Sequence, residues 1–189
     1  MKQALTQLLT ALLLFGGVTM FSANGLAQHC PYDGGNMLVI KLIDSRNNPI
    51  VNATDRLSLR EIDNENSASC RHGEGMLVKS FLPPLDAFML RYKNQGEEAF
   101  RRYCDDCTFT KDGYYAVILN QAENVCMIPK ADGSDYERFV PRKFEIRYSN
   151  GGKEKAIKAP DERIYSMCLG TGDWSRFVPV EFKLDASMR

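Results

Sequence analysis

NMLVIKLID, residues Asn36 to Asp44, decides how the rest of the chain is read. Leu38, Ile40 and Leu42 project to one side, Met37, Val39 and Ile43 to the other, with Lys41 the single charge before Asp44. A strand that is apolar on both faces is covered on both faces. The run is therefore expected as an inner strand, with the turn SRNNPIVNA after it. GYYAVILN, residues 113–120, has the same double-sided character. Other stretches alternate cleanly. In LSLREI (57–62), Leu57 and Leu59 point inward while Ser58 and Arg60 point outward. In FEIRYS (144–149), Phe144, Ile146 and Tyr148 share a face, and in FVPVEFKL (177–184) so do Val178, Val180, Phe182 and Leu184. Such alternation marks strands with one wet face.

MLVKSF (76–81), AFMLRY (87–92), KEKAIK (153–158) and IYSMCLG (164–170) complete a set of short strands. Asn150-Gly151 is the strongest hairpin signal, because Asn-Gly accepts the positive φ angles of a tight turn. Lys153, Lys155 and Lys158 on the returning strand suit a sheet edge. Pro179 cannot donate to a ladder, which puts the last strand at an edge or gives it a bulge. Residues 95–103, QGEEAFRRY, have the composition of one short helix. The pattern predicts an all-β chain, an antiparallel β-sandwich, with a closed barrel as the rival.

The opening of the chain reads as an export signal. Lys2 precedes an apolar run from Leu8 to Phe21, and Gly25-Leu26-Ala27 has the small residues of a cleavage site. That run is shorter than the roughly 20 residues a membrane span needs. Residues 1–27 are thus expected to be a signal peptide and residues 28–189 a single sandwich domain. The mature chain is then exported, periplasmic or extracellular, and not membrane-spanning. Removing Lys2 leaves 23 basic against 24 acidic residues. Near-neutrality offers nothing to attract nucleic acid.

Six cysteines follow the leader: Cys30, Cys70, Cys104, Cys107, Cys126 and Cys168. An even count in an exported chain favours three disulfides, of a connectivity the sequence leaves open. Cys70-Arg71-His72 with Cys104 and Cys107 has some of the character of a zinc site, but lacks two tight ligand pairs. Cys104-Asp105-Asp106-Cys107 has the spacing of a redox motif. Its two aspartates disfavour the thiolate that such chemistry needs. Structural disulfides, no metal and no cofactor are the expectation.

LVIKLID, NNPIVNA, LSLREID and GEGMLVKSFLPPLDAFMLRY, in that order, resemble a carboxypeptidase regulatory-like, transthyretin-like domain. Asn48-Pro49-Ile50 with Ala53 matches that family's first turn, Gly73-Glu74-Gly75 its second, and Leu82-Pro83-Pro84 its third. Leu85-Asp86 stands where the family has glycine, and the Cys70 loop is longer. The resemblance spans residues 36–92. It implies a small immunoglobulin-like or transthyretin-like sandwich, accessory and non-catalytic, of the kind common in exported bacterial proteins.

No nucleophile motif, zinc-helix motif or phosphate-cradling loop occurs in the sequence. His72 reads as a solvated loop residue rather than a general base. Asp132, Ser134 and Asp135 read as a turn rather than a calcium loop, because the alternating acidic pattern is missing. Asn52-Ala53-Thr54 is a glycosylation sequon. Trp174, the sole tryptophan, follows Asp173 in a glycine-rich loop. Such an indole either plugs the core or stacks on a ligand, and Trp174 with Asp173 is the contact patch expected here. The expected function is binding of a protein or glycan, or a structural role. A secreted hydrolase using surface carboxylates is the alternative.

Overall fold

The computed structural model describes residues 35–62, 77–104, 107–167 and 177–188. The chain divides into two compact units, Met1–Pro31 and Tyr32–Arg189. The first lies wholly outside the described residues, as does the expected signal peptide; everything below concerns the second.

Strands dominate. β1 (Asn36–Ile43) is the centre of the first four-stranded sheet. β4 (Tyr114–Leu119) runs antiparallel along one side of it, placing Leu38 opposite Val117 and Ile40 opposite Tyr115. Two short strands share its other side. β9 (Ile164–Ser166) pairs antiparallel with the first half of β1, and β10 (Val180–Lys183) pairs with the second half. The β1–β10 ladder is parallel, a departure from the all-antiparallel expectation. Parallel neighbours need a long connection, and these two strands lie at opposite ends of the domain sequence. Pro179 sits just before β10, outside the ladder of an outermost strand.

The second sheet is antiparallel, in the order β3 (Val78–Ser80), β2 (Leu57–Glu61), β7 (Phe144–Asn150), β8 (Lys153–Lys158). β8 is an edge, as its lysines lead one to expect. The turn before it is glycine–glycine rather than Asn-Gly. Asn150 pairs with Lys153, while Gly151 and Gly152 take the positive φ angles, +57° and +78°. A tight type I′ turn needs φ > 0 at both central residues. A third, two-stranded sheet, β5 (Val125–Pro129) with β6 (Tyr136–Pro141), is one the alternation pattern misses.

The two large sheets share one core. Leu38, Ile40, Leu42, Val117 and Leu119 meet Leu57, Leu59, Phe144, Ile146 and Tyr148, joined by Phe81 and Phe182. Among the described residues no ladder joins one sheet to the other, so the arrangement is sandwich-like, not barrel-like. At roughly 25 cal/mol per Å² of apolar surface, a core of this kind is the main stabilising contribution.

The outer face of this first sheet is buried too, and a helix packs on its β4 strand. Met37, Val39, Ala116 and Ile118 are buried, and α1 (Pro84–Arg91) packs on β4. Here the expectation of a strand at 87–92 fails. Pro84 occupies the first turn, Asp86 lies near the N-terminus and Arg91 in the last turn, all helix signals. The buried positions are Pro84, Ala87 and Phe88, which is helical spacing; Leu90, two residues past Phe88, is 66 % exposed. α2 (Gly96–Cys104) is the short helix the composition indicates, with Glu97–Arg101 and Glu98–Arg102 pairs one turn apart. Phe88 links the two helices, its ring centre 5.4 Å from that of Phe100. α3 (Gln121–Asn124) is a single turn closed by a reciprocal cap between Asn120 and Glu123. No helix among the described residues is long and apolar enough to cross a membrane.

Candidate functional site

The turn after β1 is built by its own side chains. Buried Asp44 accepts from Arg46 N (2.6 Å), Asn48 N (3.0 Å) and Asn48 Nδ2 (3.1 Å), while Asn47 takes φ +64°. An aspartate bonding its own backbone two residues on is a turn-forming device. The following residues are then pinned to β4. The Tyr115 hydroxyl accepts from Ala53 N (3.0 Å) and donates to the Ile50 carbonyl (2.9 Å). Gly113 O accepts from Leu42 N at 2.7 Å, and a Cβ on Gly113 would lie 2.6 Å from the Pro49 Cβ. Only glycine allows that approach, and its φ of +82° requires it as well. Asn52, at φ +55°, is held from below by Arg56, whose guanidinium donates to the Asn52 carbonyl (2.8 Å) and to the Tyr148 hydroxyl (3.0 Å).

Beside this pinned loop the chain leaves the sheet. Leu82 makes a two-bond bridge with Ala116, accepting at 2.7 Å and donating at 3.0 Å. Pro83 and Pro84 follow, have no N–H, and end the pairing as α1 begins. An open groove of about 420 Å³ forms there. Three segments line it: Val51, Asn52 and Thr54 from the pinned loop; Leu82 to Pro84 and Asp86 at the start of α1; Thr110 to Tyr115 leading into β4. A second depression of about 340 Å³ adjoins it through Pro83, Pro84 and Thr110, and reaches Phe100, Arg101 and Cys104 on α2.

The electrostatics of the groove differ from those of the surrounding surface. Across the molecule, many charges are paired: Arg147 with Glu145 and Glu154, Lys155 with Asp185, Lys79 with Glu123. Among the described residues, the side chains of Asp86, Lys111 and Asp112 have neither an ion-pair nor a hydrogen-bond partner. Burial pushes the Tyr115 phenol up, since the site disfavours a phenolate.

The expected site residues Trp174 and Asp173 lie outside the described residues, as do Cys30, Cys70, Cys168 and His72. Cys104 and Cys107 are buried and close in space, Cys107 N donating to Cys104 O at 3.0 Å, but they are not joined to each other. Cys126 is buried as well. Among the described residues no three His, Cys, Asp or Glu side chains are grouped to hold a metal. Asp132 and Ser134 form a self-contained turn: Asp132 Oδ1 accepts from Ser134 N (3.0 Å) and Oγ (2.8 Å), which lowers the carboxyl's pKa. The groove itself is absent from the sequence reading. The signal available was Leu82-Pro83-Pro84, where a strand must end beside its neighbour. No protein-family model, no curated protein and no solved structure matches the chain.

Proposed function

We propose that this chain is an exported, non-catalytic β-sandwich module that works by binding a protein or glycan. The observation that carries the reading is the groove beside Pro83-Pro84. Three chain segments line it, its walls are pinned by Tyr115 and Gly113, and Asp86, Lys111 and Asp112 offer polar groups that no side chain among the described residues uses. Loops held by a rigid scaffold are where binding surfaces are found. The leader-like residues 1–27 support export, and the resemblance of residues 36–92 to carboxypeptidase regulatory-like, transthyretin-like domains supports an accessory role. The even count of six cysteines supports a disulfide framework in an exported chain. Trp174 and Asp173 stand as a second contact patch.

The test is saturable binding of fluorescently labelled mature chain to envelope and secreted material of its own host. Lys111→Glu together with Asp112→Lys is expected to abolish binding, while Lys158→Glu on the far edge strand leaves it intact. Equal binding by all three proteins contradicts the groove's role.

One observation favours the hydrolase reading: Asp86 and Asp112, two carboxylates, line the same open groove. Paired carboxylates are the machinery of glycoside hydrolysis. Turnover of glycans that disappears in Asp86→Asn or Asp112→Asn would replace binding with catalysis.

A further inference from the structure

We propose that the ligand of the Pro83-Pro84 groove is a neutral oligosaccharide, an inference that rests on the groove being the binding surface. Among the described residues lining the groove, Asp86 and Asp112 stand against one unpaired cation, Lys111, so an anionic ligand meets net negative charge there. Arg101, at the far end, is already engaged by Glu97 at 2.7 Å. A lipid tail would have to strip water from three charged groups without returning a hydrogen bond, which is costly for each.

An extended peptide is the stronger competitor, and here the main chain argues against it. Strand addition needs free backbone groups along a sheet edge. On the groove side of β4, Ala116 is fully engaged and its neighbours Tyr114 and Ile118 partly so, which leaves no continuous run of free groups. Ala116 N–H and C=O are bonded to Leu82, Tyr114 N–H to Lys111 O (3.4 Å), and the Ile118 carbonyl to Lys79 Nζ (2.9 Å). Pro83 and Pro84 contribute no donor. Recognition therefore falls to side chains.

Those side chains suit hydroxyls. Asn52 has both donors and an acceptor, Thr54 is a hydroxyl, Thr110 Oγ1 donates to the Cys107 carbonyl (2.9 Å) and keeps its acceptor capacity, and the two carboxylates are pure acceptors. A sugar hydroxyl donates and accepts at once, so it can satisfy each of these without carrying charge. Tyr114, half-buried at the groove with the Lys41 ammonium 5.9 Å from its ring centre, and the Pro83-Pro84 rings provide the apolar surface for a sugar's C–H face. The volume of about 420 Å³ lies within the usual range for small-ligand sites.

The experiment is an NMR titration of isotope-labelled mature chain with cellotetraose, maltotetraose, chitotetraose and mannotetraose, each to about 10 mM, which reaches weak affinities. At least one is expected to give saturable shifts at the amides of Asn52, Thr110, Lys111, Gly113 and Tyr114. Asn52→Ala and Asp112→Asn, each with a native-like spectrum, are expected to weaken it about tenfold. Absence of saturable shifts from all four, shifts confined elsewhere, or unchanged affinity in both variants overturns the proposal. A separate arm uses host envelope material oxidised with periodate. If groove-dependent binding survives oxidation, the ligand is not a sugar, while the binding role stands. If untreated material shows no binding either, both readings fall.

Discussion

Lys79 and Lys155 face inward from the two edge strands of the same sheet, and each donates to a main-chain carbonyl of the opposing sheet. Lys79, opposite Leu59 in the ladder, reaches Ile118 O on β4 at 2.9 Å; Lys155, opposite Tyr148, reaches Lys183 O on β10 at 2.9 Å. Each also meets a carboxylate, Glu123 at 2.7 Å and Asp185 at 3.1 Å. Inward-pointing charges are one way edge strands avoid pairing with other chains. Here they also fasten the sandwich along both open sides.

Removing either clasp should loosen the sheets. Lys79→Met is expected to cost about 1.5–3 kcal/mol, the range for hydrogen bonds to charged groups. Lys155→Met should cost less, because its carboxylate partner is largely in water. Urea unfolding checks both, and a Lys79→Met protein as stable as the wild type would contradict the clasp.

The buried pair Glu61–Arg142, 2.7 Å apart and 3 % and 6 % exposed, ties β2 to the segment between β6 and β7. Glu61 also accepts from Leu77 N at 3.2 Å. Arg142→Met strands a buried carboxylate and should cost about 3–5 kcal/mol. The double variant Glu61→Leu with Arg142→Met should recover most of that loss. A double-mutant cycle measured by denaturation gives the coupling directly.

Tyr115→Phe leaves the Ala53 N–H and Ile50 carbonyl without their partner and should cost about 1–3 kcal/mol. The variant should also change the alkaline limb of stability. Burial raises the folded-state pKa of Tyr115 above its ordinary value of 10.0. Its contribution is then fully present below pH 10.0 and is lost as pH climbs toward the raised value, because the unfolded chain ionises first. Unfolding curves between neutral and strongly alkaline pH should show a decline in the wild type that is reduced in Tyr115→Phe.

Two glycines with positive φ should behave differently on substitution. At Gly151 a Cβ meets nothing within 4 Å, so Gly151→Ala should cost only the left-handed backbone, about 1–2 kcal/mol. At Gly113 the same strain is joined by a 2.6 Å clash with Pro49. Gly113→Ala should therefore lose at least about 1 kcal/mol more, in the range of overpacked sites, and disturb the groove wall. Thermal unfolding of the two variants side by side decides this.

The core was legible because it obeys a simple period. The double-sided β1 and β4 and the alternating β2 and β7 all follow from side-chain pattern, and so does the β8 edge with its lysines. AFMLRY was misread because Phe88 and Tyr92 are four apart, a spacing compatible with both a strand face and a helix face. The decision lay upstream, in Pro84 at the first helical position. β5 and β6 carry no clean alternation, and the parallel β10 depends on a crossover that local pattern cannot reveal. The groove was invisible for a deeper reason: Asn52, Asp86 and Asp112 are far apart in sequence and meet only when Tyr115 draws the loop onto β4.

Hydrogen exchange of residues 28–189, alone and with saturating host envelope material, separates binding at the Pro83-Pro84 groove from binding elsewhere. Exchange is expected to slow at amides within residues 50–54, 85–86 and 110–114, with β8 unchanged. Saturable binding that instead protects only residues near Asp173 and Trp174, or leaves all three groove segments exchanging as before, would contradict binding at the groove.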